Sequence, residues 1–222
     1  MIRGRLSIHP VIDELLNGGA ENGAITNIYG DAGSGKTNIA LLSALKCLRL
    51  GKKIIYMDTE SSFSFERFCQ VGGNHDDLKN ILFIEPESWN EQCRYLEDIS
   101  KKEMSGIGLI IIDSIAALYR LEITQENYTK INRQLATQYS ILSNIARKHN
   151  IPVIVTSQVY TNIEDGNTEI TSKNIARFWS RTLVEIIHIN NENRRAAIVR
   201  KHRSIPENRR VEFLITQDGL GE

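Results

Sequence analysis

Hydrophobic positions follow two alternating rhythms over the first 180 residues. Short β-branched runs at 24–29, 53–58, 81–85, 109–113 and 151–156 are strand-like, and between them apolar residues recur at helical spacing near 38–50, 64–71, 89–104 and 127–149. In the last stretch Ile131, Leu135, Tyr139, Leu142, Ile145 and His149 share one face. Strand–helix alternation predicts parallel strands joined by right-handed crossovers and covered by helices on both faces. The continuous apolar run Leu109-Ile110-Ile111-Ile112 suits a central strand of such a sheet. After residue 180 the rhythm changes to strands at 182–189, 196–201 and 210–215, with connections too short for crossover helices. These three predict an antiparallel extension. The expected fold class is α/β, a central mainly parallel sheet with helices on both faces and a C-terminal antiparallel extension, in a single domain over 1–222.

Composition narrows the function classes only a little. At 222 residues, 41% hydrophobic and 24% charged, the chain suits a soluble globular protein with one substantial core. Lys plus Arg and Asp plus Glu number 27 each, so bulk charge argues for neither nucleic acid nor membrane, and any such claim rests on local charge. Cys47, Cys69 and Cys93 are odd in number and far apart, which disfavours a disulfide framework or zinc site and fits a reducing cytoplasm. His9, His75, His149 and His188 show no metal-ligand spacing. No segment approaches the roughly 20 apolar residues of a membrane span, and no signal core opens the chain, so no membrane partner is expected.

The strongest chemical signal is Gly30-Asp31-Ala32-Gly33-Ser34-Gly35-Lys36-Thr37, set between the strand-like 24–29 and a helix-like run. This is a phosphate-binding P-loop in its required context. Glycines let the backbone turn amides onto phosphate oxygens, and a helix N-terminus adds favourable dipole. Lys36 would reach the β and γ phosphates, and the Thr37 hydroxyl would ligate Mg²⁺. Asp113 ends the apolar strand, where it serves either as a Walker B carboxylate for Mg²⁺ or as a helix cap. Glu60, in Asp58-Thr59-Glu60 at the tip of a neighbouring strand, lies where ligands bind in parallel sheets. It is placed to orient and deprotonate an attacking water, or else is a solvated loop residue.

Several segments together resemble the core of the RecA/RadA recombinase family: Asp58-Thr59-Glu60, Phe63, Glu66-Arg67, Asp113-Ser114, Ala117-Leu118-Tyr119-Arg120, Arg133-Gln134 and Val155-Thr156-Ser157-Gln158. Their order and spacing match, as do the opening Asp13-Glu14-Leu15-Leu16 with Gly18-Gly19 and the ending Asp218-Gly219-Leu220-Gly221. The chain starts at the ATPase core, which sets the expectation of a short archaeal branch without an amino-terminal domain. The resemblance implies a RecA-type P-loop ATPase using ATP and Mg²⁺. It also implies roles: Glu60 as catalytic glutamate, Arg67 stacking on adenine with Gln70 nearby, and Gln158 as sensor of the γ-phosphate. Arg67 is otherwise an ordinary helix-surface arginine, and Gln158 a polar strand end.

The chain departs from that pattern in two places. The loops where the family binds DNA, 121–129 and 159–169, carry acids and no base, which argues against strong strand exchange because phosphate-backbone affinity comes from Lys and Arg. Positive charge gathers instead over 173–210, making Arg194, Arg195, Arg209 and Arg210 candidate DNA contacts, the alternative being a charged sheet edge. Lys201-His202-Arg203 replaces an acidic position and resembles KaiC-like ATPases, implying that Lys201 and Arg203 act as fingers on a neighbouring subunit's ATP. The expected function is a weak Mg-dependent ATPase that binds single-stranded or branched DNA with low specificity. It would assist a main recombinase of the RadA type in recombination and repair, with homo-oligomerisation possible. A KaiC-like regulatory ATPase without a DNA role, and an ATP-bound module capping recombinase filaments, remain the alternatives.

Overall fold

The computed structural model describes residues 4–161, 168–189 and 193–221. The chain begins β1 (Arg5–Leu6), α1 (Pro10–Leu15), β2 (Ala20–Glu21), β3 (Ile25–Gly30), α2 (Lys36–Arg49) and β4 (Lys53–Asp58). It continues through α3 (Phe65–Gln70), α4 (His75–Leu78), β5 (Ile81–Ile84), α5 (Trp89–Lys101), β6 (Ile107–Asp113), α6 (Ala117–Glu122) and α7 (Tyr128–His149). The remainder is β7 (Val153–Thr161), β8 (Thr168–Ile170), α8 (Lys173–Trp179), β9 (Thr182–His188), β10 (Arg194–Lys201), β11 (Arg210–Thr216) and β12 (Gly219–Gly221).

One large sheet runs β12-β11-β10-β9-β3-β7-β6-β4-β5, with β8 paired to β7. From β9 through β5 the neighbours are parallel, and from β9 through β12 they are antiparallel. The expected antiparallel extension is therefore present, with one correction. The 182–188 strand belongs to the parallel part, because the seven-residue helix α8 carries the chain back before β9 joins β3. Helix α8, the β1–β2 pair, α1 and α4 carry no clear periodic signal. Each is too short to complete one.

The apolar strand β6 shows why both faces are buried. Leu109 and Ile111 enter the core beneath α1 and α2, whereas Ile110 and Ile112 enter the opposite core beneath α5 and α7, and all four are 0% exposed. Alternate side chains point to opposite faces, so a continuous apolar run satisfies two cores. Helix α7 lays Ile131, Leu135, Tyr139, Leu142 and Ile145 on the second core, and Asn150 ends it in the left-handed conformation. The Tyr139 hydroxyl accepts from Asn27 Nδ2 at 2.9 Å, tying the helix to β3, the strand that runs into the P-loop. Among the described residues no helix is long and apolar enough to cross a membrane. Cys47, Cys69 and Cys93 are free thiols.

Candidate functional site

Strands β3, β4, β6 and β7 end together, and their carboxyl ends surround a cavity of about 470 Å³ lined by Gly33, Lys36, Thr37, Glu60, Asp113 and Gln158 among others. Parallel strands place their carboxyl ends at one edge, which is where such sheets bind ligands. The loop entering it needs glycine at two places. A Cβ on Gly30 would lie 2.2 Å from the Ile186 carbonyl oxygen, and Gly35 caps α2 at φ 102°. No side chain caps α2, so its first-turn amides face the cavity as an anion site.

Lys36, 8% exposed, bonds the Gly30 carbonyl at 3.0 Å and the Asp31 carbonyl at 2.7 Å. Burial pulls its pKa below the ordinary lysine value, opposed by the charges of Glu60, Asp113 and Asp31. Asp113 is 3% exposed and accepts from Tyr56 OH at 3.0 Å, from Thr156 Oγ1, and from Ser62 Oγ at 3.4 Å. Burial raises its pKa, and hydrogen bonds from Thr156, Thr37 and Tyr56 oppose that rise. A carboxylate held so beside the Thr37 hydroxyl suits a divalent cation, and among the described residues no cluster of three or more His, Cys, Asp or Glu offers another metal site.

Glu60 is held at both oxygens. Ser114 Oγ donates to Oε1 at 2.5 Å, and Gln158 Nε2 donates to Oε2 at 2.8 Å. Gln158 in turn accepts from Arg120 Nη1 at 3.0 Å. The result is a continuous line of polar contacts from β6 through Glu60 and β7 to α6. Asp58 supports its near end by accepting from the Glu60 and Phe63 amides. On the far side of Arg120 lies a larger cavity of about 870 Å³, lined by Tyr119, Tyr128, Asn132, Thr171 and Lys173. The first of the two acidic loops becomes the α6–α7 connection there. Most of the second, residues 162–167, lies outside the described residues.

Arg67 and Gln70 sit beside the opposite end of the loop. The Arg67 guanidinium donates to Asn38 Oδ1, Gln70 Oε1, Thr216 O and Gln217 O, at 2.7 to 2.9 Å. Edge-on bonds of this kind hold the planar group while leaving its face for an aromatic partner.

The basic stretch does not form one surface. Arg194 and Arg210 flank Glu212, with side chains 46% and 44% exposed. Arg209 bonds Asn17 Oδ1 and the Glu14 carbonyl, and Arg200 pairs with Glu185. Arg195 corrects its expected placement as a surface DNA contact. It is 8% exposed and donates to the Gly33 carbonyl at 3.3 Å, so it lines the nucleotide cavity. The signal for this was available: Arg195 stands two and four residues before Ala197 and Val199, which face the α2 core. Arg120 and Ser114, by contrast, lie in Ala117-Leu118-Tyr119-Arg120 and Asp113-Ser114, where no local pattern assigns either a role.

Lys201 and Arg203 are brought to the other edge of the sheet. Lys201 pairs with Leu183, which pairs with Asn27, whereas the loop starts beyond Gly30. Lys201 caps carbonyls at the end of α8, those of Arg177 and Ser180. Arg203 bonds the buried Glu21 at 3.2 Å, which also pairs with Arg5 at 2.9 Å. Neither lines the cavity at the P-loop.

Comparison with known proteins agrees with this architecture. The family model described as Rad51 matches residues 8–222. The DNA repair and recombination protein RadB of Methanococcoides burtonii is 39% identical over 212 residues, covering 94% of this chain and 93% of that one. The protein of the same description from Methanococcus maripaludis is 41% identical over 214 residues, covering 95% and 96%. A crystal structure of the RadB recombinase superposes with a TM-score of 0.85 at 34% identity, covering 98% of this chain and 99% of that one.

Proposed function

This chain belongs to the Rad51 family, and we propose from that premise that it is a Mg·ATP-binding, DNA-binding accessory protein of homologous recombination and DNA repair. The observation that carries the reading is the convergence of Lys36, Thr37, Asp113 and Glu60 on one cavity, with Glu60 linked through Gln158 to Arg120. The loop amides and Lys36 hold the polyphosphate, and Arg67 presents its face to the base. Thr37 and Asp113 would hold Mg²⁺, which when bound would supply charge neutralisation for phosphoryl transfer. Glu60 orients the attacking water and takes its proton.

Hydrolysis by the isolated chain is weak on this reading, because Lys201 and Arg203 do not line this cavity and both Glu60 oxygens already accept hydrogen bonds. Lys201 and Arg203 lie where they can serve only the nucleotide of another copy, which also supports the KaiC-like alternative. The expected result is that Arg203→Ala leaves turnover unchanged in dilute protein but lowers it at least about tenfold under conditions of assembly. Equal rates for parent and variant in the assembled state would remove the finger role.

The DNA part places low-specificity contact on the exposed Arg194 and Arg210 face, and a main recombinase of the RadA type as the protein partner. Fluorescence anisotropy of labelled single-stranded and branched DNA, titrated with Mg·ATP across a salt series, tests it. Affinity should fall steeply with salt, and charge reversal at Arg194 and Arg210 should weaken it at every sequence tried. No binding at low salt in protein that binds ATP would leave the regulatory or filament-capping reading.

A further inference from the structure

Two cations line the nucleotide cavity among the described residues, Lys36 and Arg195. The first belongs to the P-loop motif. The second comes from β10, two strands away from β3 in the sheet. Arg195 lies on the same strand face as Ala197 and Val199, so its side chain is carried toward the α2 side of the sheet and over the loop. Its Nη1 donates to the Arg194 carbonyl at 3.1 Å, and its Nη2 to the Gly33 carbonyl at 3.3 Å. Gly33 is in the left-handed region at φ 70°, and a Cβ there would meet nothing within 4 Å. That glycine is kept for backbone conformation rather than for close packing, so a contact from outside the loop is what braces this bend.

We propose that Arg195 is a second polyphosphate-binding cation, supplied by the same chain from β10, and that it acts in nucleotide affinity and not in DNA contact. This rests on the reading of the cavity as a Mg·ATP site. The cavity walls carry the carboxylates of Glu60 and Asp113, which oppose a polyanion, and Lys36 alone lies against them from the loop side. A guanidinium on the opposite flank balances that charge. Its planar fork can hold the Gly33 carbonyl with one nitrogen and a phosphate oxygen with another. Lysine in its place would keep the charge but only one bonding direction, and glutamine would keep a donor without the charge.

That difference supplies the test. Mg·ATP is titrated calorimetrically into the parent, Lys36→Ala, Arg195→Lys and Arg195→Gln proteins at two salt concentrations, with the melting temperature of each measured without nucleotide. Arg195→Gln should bind Mg·ATP about tenfold more weakly. Its affinity should depend less on salt, since one phosphate-facing charge is gone. Arg195→Lys, which keeps the charge but not the fork, should lose affinity severalfold, less than Arg195→Gln. DNA binding measured without nucleotide should be unchanged in Arg195→Gln. Parental affinity in Arg195→Gln would reduce Arg195 to a brace for Gly33 and overturn the proposal, while loss in Lys36→Ala still upholds the nucleotide site. A parent protein that binds no ATP would sink the site itself. Should the glutamine variant melt below the assay temperature, the lysine variant decides: a severalfold loss of affinity in folded protein supports the phosphate contact, and parental affinity overturns it.

Discussion

Glu60→Gln is expected to bind Mg·ATP as tightly as the parent and to turn it over at least about a hundredfold more slowly, the usual contribution of a positioned general base. The substitution is nearly isosteric. Its amide can still accept from Ser114 Oγ or Gln158 Nε2 through the carbonyl oxygen, so the line from β6 to α6 keeps most of its contacts. What disappears is the proton acceptor. Lys36, Thr37 and the first-turn amides of α2, which carry affinity, are untouched. Single-turnover hydrolysis and an ATP titration of the same preparation separate the two effects. Turnover within a few-fold of the parent would show that another group activates water, and parallel loss of affinity and rate would show that Glu60 supports the fold of the cavity instead.

Lys36→Met should move function and stability in opposite directions. Removing the ammonium should weaken ATP binding by about two orders of magnitude, the scale for deleting one member of a desolvated charge pair. The empty protein should become more stable. Lys36 is 8% exposed and burial lowers its pKa, meaning that the folded state disfavours its charge despite the carbonyls of Gly30 and Asp31 and the carboxylates nearby. An apolar side chain of similar length avoids that desolvation, and the relief is expected to outweigh the loss of the cation to the Gly30 and Asp31 carbonyls and to Asp113. A gain of about 1 kcal/mol would raise the melting temperature by roughly 2–4 °C in a protein of this size. A clear drop in melting temperature would mean that the lysine's hydrogen bonds outweigh its burial cost.

How far these sites could be read in advance follows from the range of the interactions involved. The P-loop, Asp113 and the strand Lys53–Asp58 were legible because their signals are contiguous: glycine punctuation, an apolar run, and a carboxylate at its end. Helix α7 was legible because 22 residues give several turns of a repeating apolar face. The direction of β9 was not, since periodicity records which side chains are buried and not which way a strand runs. Only its pairing with β3 settles that. The expected placement of Arg195 with Arg194, Arg209 and Arg210 failed for a related reason. Local charge counts treat neighbours as equivalent, although adjacent strand residues point to opposite faces.

The sequence by itself determined the chemistry available to this protein: a P-loop motif, a carboxylate at the end of an apolar strand, a glutamate at a strand tip and an excess of late arginines, with acids and no base over 121–129 and 159–169. Each is specified by residue type over a few consecutive positions. The tertiary structure decided which of them meet. It joined Ser114, Glu60, Gln158 and Arg120 into one line, turned Arg195 onto the P-loop, and carried Lys201 and Arg203 to the opposite edge of the sheet. The hydrogen bonds of that line and of Arg195 span from 38 residues, for Arg120 with Gln158, to 162, for Arg195 with Gly33. Contacts at such separations come from strand order, register and the burial of both sheet faces, which are properties of the whole packed chain and not of any segment.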